Sequence, residues 1–406
     1  MPLTERESRV CQAISRRADH LLSDLRLHVG LPTGHNNTSA LDESRSHFAA
    51  RCEKLGARCE LVPGDAKPDW LWEGAASTES HHIPPTLIAR KLTGAAPGSA
   101  LLISGHLDTV HDPRGPFREL SIAPDRKNAT GPGCVDMKGG LVIAINALEV
   151  LADLGVDLPW SMMLNSDEET GSFHSDRTLR AEAGAGHYRY GLALEPAMSK
   201  GELAIERGGS GQFVIEATGQ AAHVGRDFAS GRSAVDALAH AIIDAHKLSD
   251  APHGVCVNIS PLSCDIPANV VADSARAWGN VRYPNPEAGT KLEHALLTLG
   301  PREGLPRVRI RTSLNRPAKP CTPQVRALAD LVCAAAADLG QNLPTGKTAG
   351  VCDGNNLQAA GLPTLDTLGV RGGGLHTPTE WIELASLVER CQLLALVMLR
   401  AGSPRA

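Results

Sequence analysis

Three short apolar runs constrain this chain most, because each has strand length and each runs straight into a turn bearing histidine or carboxylates. They are residues 100–104 (ALLIS), 160–164 (WSMML) and 191–194 (GLAL). Between the first two, Leu141, Val142, Ile145, Leu148 and Leu151 recur at helical spacing, which predicts an amphipathic helix running from Lys138 to Gly155. Strands alternating with helices in this way predict an α/β fold, a mostly parallel sheet sandwiched by helices. In open sheets of that kind, functional residues gather beyond the carboxyl ends of the strands.

The rest of the chain divides around that core. Helices are expected over residues 8–29 and 44–55, the second closing at Gly56, with a polar loop at 31–41 between them. Residues 206–211 (ERGGSG) read as a hinge, after which 212–218 (QFVIEAT) alternates as a half-exposed strand should. A helix at 233–248, alternating segments at 255–259 and 275–281, and a second helix at 286–299 imply an antiparallel sheet carrying two helices. The expected organisation is therefore one domain from residues 1–207 and 315–406, with a smaller α+β domain inserted at 208–314. A chain of 406 residues has room for two such cores.

Composition limits the partners. Forty Lys+Arg against 45 Asp+Glu gives a formal net charge of −5, and no dense basic block offers a footprint for nucleic acid or anionic membrane. No apolar stretch approaches the ~20 residues that span a bilayer, and the N-terminal segment lacks the continuous apolar core of a secretory signal. A cytoplasmic location is expected by default, with the ten cysteines, none in a C-x-x-C pair, reduced and mostly buried. The expected partner is a small molecule.

Five turns carry chemistry. In Ser104-Gly105-His106-Leu107-Asp108-Thr109, the H-x-D spacing lets Asp108 orient His106 through its second ring nitrogen, as around a metal-bound imidazole. Taken alone, such a pair is as readily structural. The glycine-rich segment 131–140 (GPGCVDMKGG) places Asp136 before a helix, where it is either an N-cap or a cation ligand. A phosphate cradle fits worse, because the G-x-G-x-x-G pattern fails at its last glycine and a carboxylate stands where the anion would sit. Glu168 and Glu169, after the second strand, repel each other unless a cation or a shared proton intervenes. Glu195 follows the third strand, and Gly372-Gly373-Gly374-Leu375-His376 presents one histidine near the end of the chain.

Taken in order, GHLDTV, DMKGG, DEETGS, LEPA, AAHVGRDFASGRSA and GGGLHTPTEW resemble the zinc-dependent family of acetylornithine deacetylase, succinyl-diaminopimelate desuccinylase, aminoacylase and glutamate carboxypeptidase. The similarity covers nearly the whole chain and is strongest to the glutamate carboxypeptidase branch. It implies two zinc ions, with cobalt or manganese as substitutes. His106 and Glu195 would be the terminal ligands of one, Glu169 and His376 those of the other, and Asp136 the bridge. Two His, two Glu and a shared Asp suit zinc chemically, and two metals ~3.5–4 Å apart can hold a bridging hydroxide. Glu168 would be the general base and Asp108 the orienter of His106.

The same resemblance makes the inserted domain a lid and dimerisation domain. His223 would reach the scissile carbonyl from the partner subunit of a homodimer. Asn269 and Arg282 would hold the substrate's free carboxylate, with Gly350 and Arg316 lining the same pocket. Where the family commonly has Asp-x-Arg, this chain has Asn280-Val281-Arg282.

The expected activity is metal-dependent amide hydrolysis that releases a C-terminal amino acid, glutamate foremost, from a peptide or an N-acylated, folate-like compound. An N-acyl-amino-acid deacylase or a dipeptidase would share every catalytic residue. A non-catalytic metal-binding scaffold is the alternative of another class, disfavoured because all five ligands, Glu168 and Asp108 are present. A serine hydrolase is disfavoured because residues 208–212 (GGSGQ) miss the final glycine of G-x-S-x-G.

Overall fold

A computed structural model describes residues 2–72, 82–300 and 303–402. Its centre is a sheet containing β1 (Arg58–Val62), β2 (Thr86–Lys91), β3 (Ala100–His106), β4 (Trp160–Asn165) and β5 (Tyr188–Ala193). The order across it is β1, β2, β4, β3, β5 and then the short strand Thr364–Leu365. Pairing is parallel from β4 to that last strand and antiparallel at the β1–β2–β4 edge. β3 is buried at every residue and β4 likewise, as strands covered on both faces must be.

Helices cover the sheet. α1 (Glu5–Arg16), α2 (Ala18–Gly30), α3 (Thr38–Lys54) and α4 (Gly139–Asp153) contribute to the largest core, whereas α5 (Asp176–Ala183) packs on the opposite face. Two expectations change here. The single helix expected over residues 8–29 is two, because the chain turns at Arg17, whose amide bonds back to the Ile14 carbonyl. The helix expected to be amphipathic, α4, is instead buried nearly all round, since helices pack against the flank away from the sheet.

The second unit is a four-stranded antiparallel sheet. Its strands are β6 (Gly209–Thr218), β7 (Cys256–Ser263), β8 (Ser274–Tyr283) and β9 (Arg307–Arg316), in the order β7, β8, β6, β9. α6 (Ala234–His246) and α7 (Pro286–Leu297) cover one face, over a core of Phe213, Ile215, Ala277, Val281 and Leu292. The other face carries a strap from the first domain. Trp70 and Leu71 bury Val214, Trp72 lies 4.9 Å from Trp278, and the Trp278 indole N–H donates to the Trp70 carbonyl at 2.6 Å. Residues 212–218 alternate as expected: Phe213, Ile215 and Ala217 are buried beneath the helices, while on the outer face only Val214, under the strap, is buried and Thr218 is exposed.

The chain then returns to the first domain as α8 (Pro323–Asp338), α9 (Asp353–Ala359) and α10 (Ala385–Gly402). α10 packs along α4 and α1, closing the core. All ten cysteines are free thiols; five are buried, and Cys256 and Cys264 are exposed. Among the described residues, no helix is long and apolar enough to cross a membrane.

Candidate metal centre

The parallel strands β3 and β4 end side by side, with His106 opposite Asn165, and β5 ends beside them. That shared edge brings together the turns that were expected to carry chemistry. Two groups of ligand atoms form: His106, Asp136 and Glu195 in one, and Asp136, Glu169 and His376 in the other, each within 4.8 Å. Asp136 belongs to both. Its Oδ1 stands 3.3 Å from His106 Nε2 and its Oδ2 3.4 Å from His376 Nε2, so one carboxylate faces two separate imidazoles. His376 Nε2 is also 3.2 Å from Glu169 Oε2.

Several features fit these residues to cations. His106 Nε2 and Asp136 Oδ1 are buried and neither makes a hydrogen bond. Burial, with the charge of Glu168 next, pushes the Glu195 carboxyl well above its ordinary range, and burial also raises Glu169. Burial pulls His106 down, but Asp108, Asp136 and Glu195 outweigh it and raise the ring well above the ordinary histidine value. Asp136 and Glu169 lift His376 to about 10. Carboxylates that hold protons on two imidazoles can instead share metal ions with them, so the donor set matches a pair of divalent cations.

His106 is held by a backbone carbonyl. His106 Nδ1 lies 2.9 Å from the Asp108 carbonyl, which fixes the N–H on Nδ1 and turns Nε2 toward Asp136. Asp108, the residue expected to orient His106, makes this contact through its backbone carbonyl. In the structure its Oδ1 is 3.5 Å from Nδ1, while the two carboxylate oxygens accept the Glu168 and Glu169 amides at 3.2 and 3.0 Å. Asp108 thus joins the His106 turn to the acidic turn. Asp136 lies not at a helix N-cap but at a kink within Cys134–Lys138, with extended rather than helical backbone (φ −117°, ψ 93°), just ahead of α4.

Glu195 is placed by close backbone approach. A Cβ on Gly140, in the first turn of α4, would fall 2.3 Å from the Leu194 carbonyl oxygen. One on Gly369 would fall 2.4 Å from that oxygen and 2.7 Å from the Glu195 carbonyl. Only glycine lets α4 and the Gly369 loop approach the Leu194–Glu195 backbone this closely.

The base candidate Glu168 sits at the edge of the ligand groups. Burial pushes its carboxyl up to about 8, against the pull of Arg316 and His106. Arg316 is itself buried, with Nη2 2.8 Å from Glu168 Oε1 and Nη1 2.6 Å from Asp353 Oδ1.

The residues expected to meet substrate are arranged differently. His223 and Asn269 are exposed neighbours on the second unit, joined by the pairing of Ala222–His223 with Val270–Val271 and by the Val224 amide on the Asn269 carbonyl. His223 belongs to neither ligand group; its Nδ1 accepts the Gly225 amide at 3.1 Å. Arg282 shares a register row with Ser210 and Arg316. The Gly350 carbonyl accepts from Arg207 at 3.0 Å, and Arg207 pairs with Asp366.

Sequence reasoning missed Glu380. Its buried carboxylate accepts the Gly133, Val135 and Asp136 amides at 2.9, 2.9 and 3.0 Å, and lies 2.6 Å from His111 Nε2. It anchors the Asp136 turn from about 245 residues away, and no local pattern announces such a contact. Asp353 and Ser172, which brace Arg316, were missed for the same reason.

Residues 102–400 match the family described as Peptidase family M20/M25/M40. The chain is 26% identical over 323 residues to carboxypeptidase G2 of Pseudomonas sp. strain RS-16, covering 78% of this chain and 77% of that protein. It is also 26% identical over 381 residues to succinyl-diaminopimelate desuccinylase 2 of Shewanella loihica, covering 86% of this chain and 98% of that one. Among solved structures, a dinuclear metal-binding peptidase of the M20 family from Bacillus subtilis superposes with a TM-score of 0.61 at 16% identity, over 95% of this chain and 98% of its own. At that identity the likeness is one of fold.

Proposed function

The chain belongs to Peptidase family M20/M25/M40 and is a hydrolase, and on that premise we propose that it releases a C-terminal amino acid, glutamate foremost, from a peptide or N-acylated, folate-like substrate. The observation that carries a two-metal reading is the Asp136 carboxylate, whose two oxygens face His106 and His376 in separate ligand groups. Bound there, two divalent cations, zinc with cobalt or manganese as substitutes, supply Lewis acidity that polarises a scissile carbonyl and lowers the pKa of water.

The protein's own groups do the rest. Glu168 takes a proton from the attacking water as its oxygen bonds to the carbonyl carbon, then passes that proton to the departing amine nitrogen as the C–N bond breaks. The amides donated to Asp108 hold the Glu168–Glu169 turn in place for that task. Residues 208–314 act as lid and dimerisation domain. Arg282 and Asn269 hold the free carboxylate, Gly350 lines its pocket, and His223 acts on the scissile carbonyl of the substrate bound in the partner subunit. The similarity to carboxypeptidase G2 favours this branch, while the similarity to a desuccinylase keeps N-acyl-amino-acid deacylation as the second reading.

Amino-acid release from folates, N-acyl amino acids and dipeptides, followed by mass spectrometry with and without chelator, tests the reading. Chelator-sensitive glutamate release from folates is expected. Preference for simple N-acyl substrates would move the protein to deacylation, and no metal-dependent release at all would overturn hydrolysis of these classes. Glu168→Gln is expected to keep its bound metal while turnover falls on the order of 10²–10⁴-fold, because it removes a base and no ligand. Full activity in that variant would remove Glu168 from the mechanism.

A further inference from the structure

Arg316 ends β9, the strand by which the chain leaves the second unit, yet its side chain is buried among groups of the first domain. Nη2 donates to the Glu168 carboxylate at 2.8 Å, to the Glu168 carbonyl at 3.2 Å and to Ser172 Oγ at 2.8 Å. Nη1 donates to Asp353 Oδ1 at 2.6 Å and lies 3.4 Å from Asn356 Oδ1. Asp353 is braced in turn by Ser172 Oγ at 2.6 Å and by the side-chain amide of Asn165, the last residue of β4, at 2.8 Å.

An arginine that captures a substrate carboxylate must present two N–H vectors of its fork to the pocket. Both Nη groups of Arg316 are committed to protein, and Nε is buried without a partner. The contrast lies one register row away. Arg282 stands across Ser210 from Arg316, is exposed, and makes no hydrogen bond or ion pair among the described residues. Two like charges in one row leave Arg282 as the fork available to an anion. Without the Arg316 charge, the Glu168 and Asp353 carboxylates would face each other around Ser172 with nothing between them to balance them.

We infer that Arg316 is a positioning residue for Glu168, gripping both its main chain and its carboxylate, and that it ties the orientation of the base to the seat of the strand returning from the lid. Substrate carboxylate is not its ligand. The kinetic part of the test rests on the proposed hydrolysis; the structural part does not.

Arg316→Gln and Arg316→Lys are compared with wild type as metal-loaded enzymes, by steady-state kinetics on N-acyl amino acids and their C-terminal amides, and by crystal structures of both variants. In the Gln variant kcat is expected to fall on the order of 10–100-fold, the cost of a misplaced catalytic group, with KM within about threefold of wild type. The Lys variant should recover part of kcat, preference for the free carboxylate over the amide should persist in both, and Glu168 should leave the orientation seen here in the Gln variant. A rise in KM of tenfold or more with kcat unchanged, together with loss of preference for the free carboxylate, would make Arg316 a substrate fork and overturn the inference. So would a Gln variant whose Glu168 has not moved. If the Gln variant does not fold, the same criteria apply to the Lys variant. If wild type releases no amino acid, the proposed function fails while the Glu168 orientation still decides this point.

Discussion

At the scale of single residues, the centre depends on carboxylates that never touch the substrate. Glu380 takes three backbone amides of the Asp136 turn, so changing it to Gln replaces an acceptor oxygen with an NH2 group that faces other donors. Partners one step behind metal ligands are commonly worth 10–100-fold in affinity. Glu380→Gln is expected to weaken metal retention by roughly that factor, measured by competition with a chromogenic chelator, and wild-type retention would show that the turn holds its shape unaided.

A second residue gives a pH signature far from substrate chemistry. His28 is buried against Phe48, stacked at 4.5 Å, and burial lowers it to about 4, although Asp24 pulls the other way. The folded ring stays neutral while the unfolded one, near 6.5, takes up a proton as pH falls. Stability is therefore full above pH 6.5 and is lost as pH falls from there toward 4, by about 2 kcal/mol between pH 7 and 5 for this group. Urea unfolding of wild type and His28→Leu at both pH values should show a smaller loss in the variant by about that amount. Equal losses would mean that His28 is not neutral in the folded state.

His106, Glu169 and Glu195 were legible because each sits in a short turn after an apolar run, where residue type and strand position together limit the chemistry. Asp136 and His376 lie in glycine-rich segments and stood out only through the resemblance of the ordered motifs, and the fold brings all five together. Glu380, Asp353 and Arg316 were not legible in their actual roles, because each acts on a turn distant in sequence and only the folded chain supplies the contact.

Among the elements, the closest constraint is the first turn of α4 against the end of β5. Alanine is ordinarily better than glycine inside a helix by about 1 kcal/mol. At Gly140 the sign should reverse, since the added methyl would meet the Leu194 carbonyl at 2.3 Å and backbone must move. Gly140→Ala is expected to destabilise the protein by roughly 1–3 kcal/mol and to weaken metal binding through Glu195. A thermal melt and a metal titration check this, and a higher melting temperature would contradict the close approach.

The elements also show where periodicity misleads. The apolar spacing along α4 correctly gives a helix, but it cannot tell a helix with one buried stripe from one packed on all sides. Alternation in residues 212–218 gives a strand, and only the Trp70 strap, from a loop with no regular pattern, explains why Val214 is buried on the outer face. The break at Arg17 passes unseen because the apolar spacing continues through it.

For the whole molecule, the role proposed for His223 bears on how many subunits make one site. It is exposed on the second unit, beside Asn269, and belongs to neither ligand group of its own chain. In a two-fold dimer, whatever one lid offers its neighbour is offered back, so each site would combine Glu168 of one subunit with the His223 of the other. Subunits carrying His223→Ala and subunits carrying Glu168→Gln would then each be inactive alone. In a mixed dimer, the site built on the His223→Ala subunit keeps its Glu168 and receives an intact histidine from its neighbour, while the opposite site lacks both groups. With equal mixing, half of the dimers are hybrid and half of their sites complete, so about a quarter of wild-type activity should return after subunit exchange. Activity that stays at the level of the separate variants, once exchange has been verified with differently tagged chains, would place a complete site within one subunit.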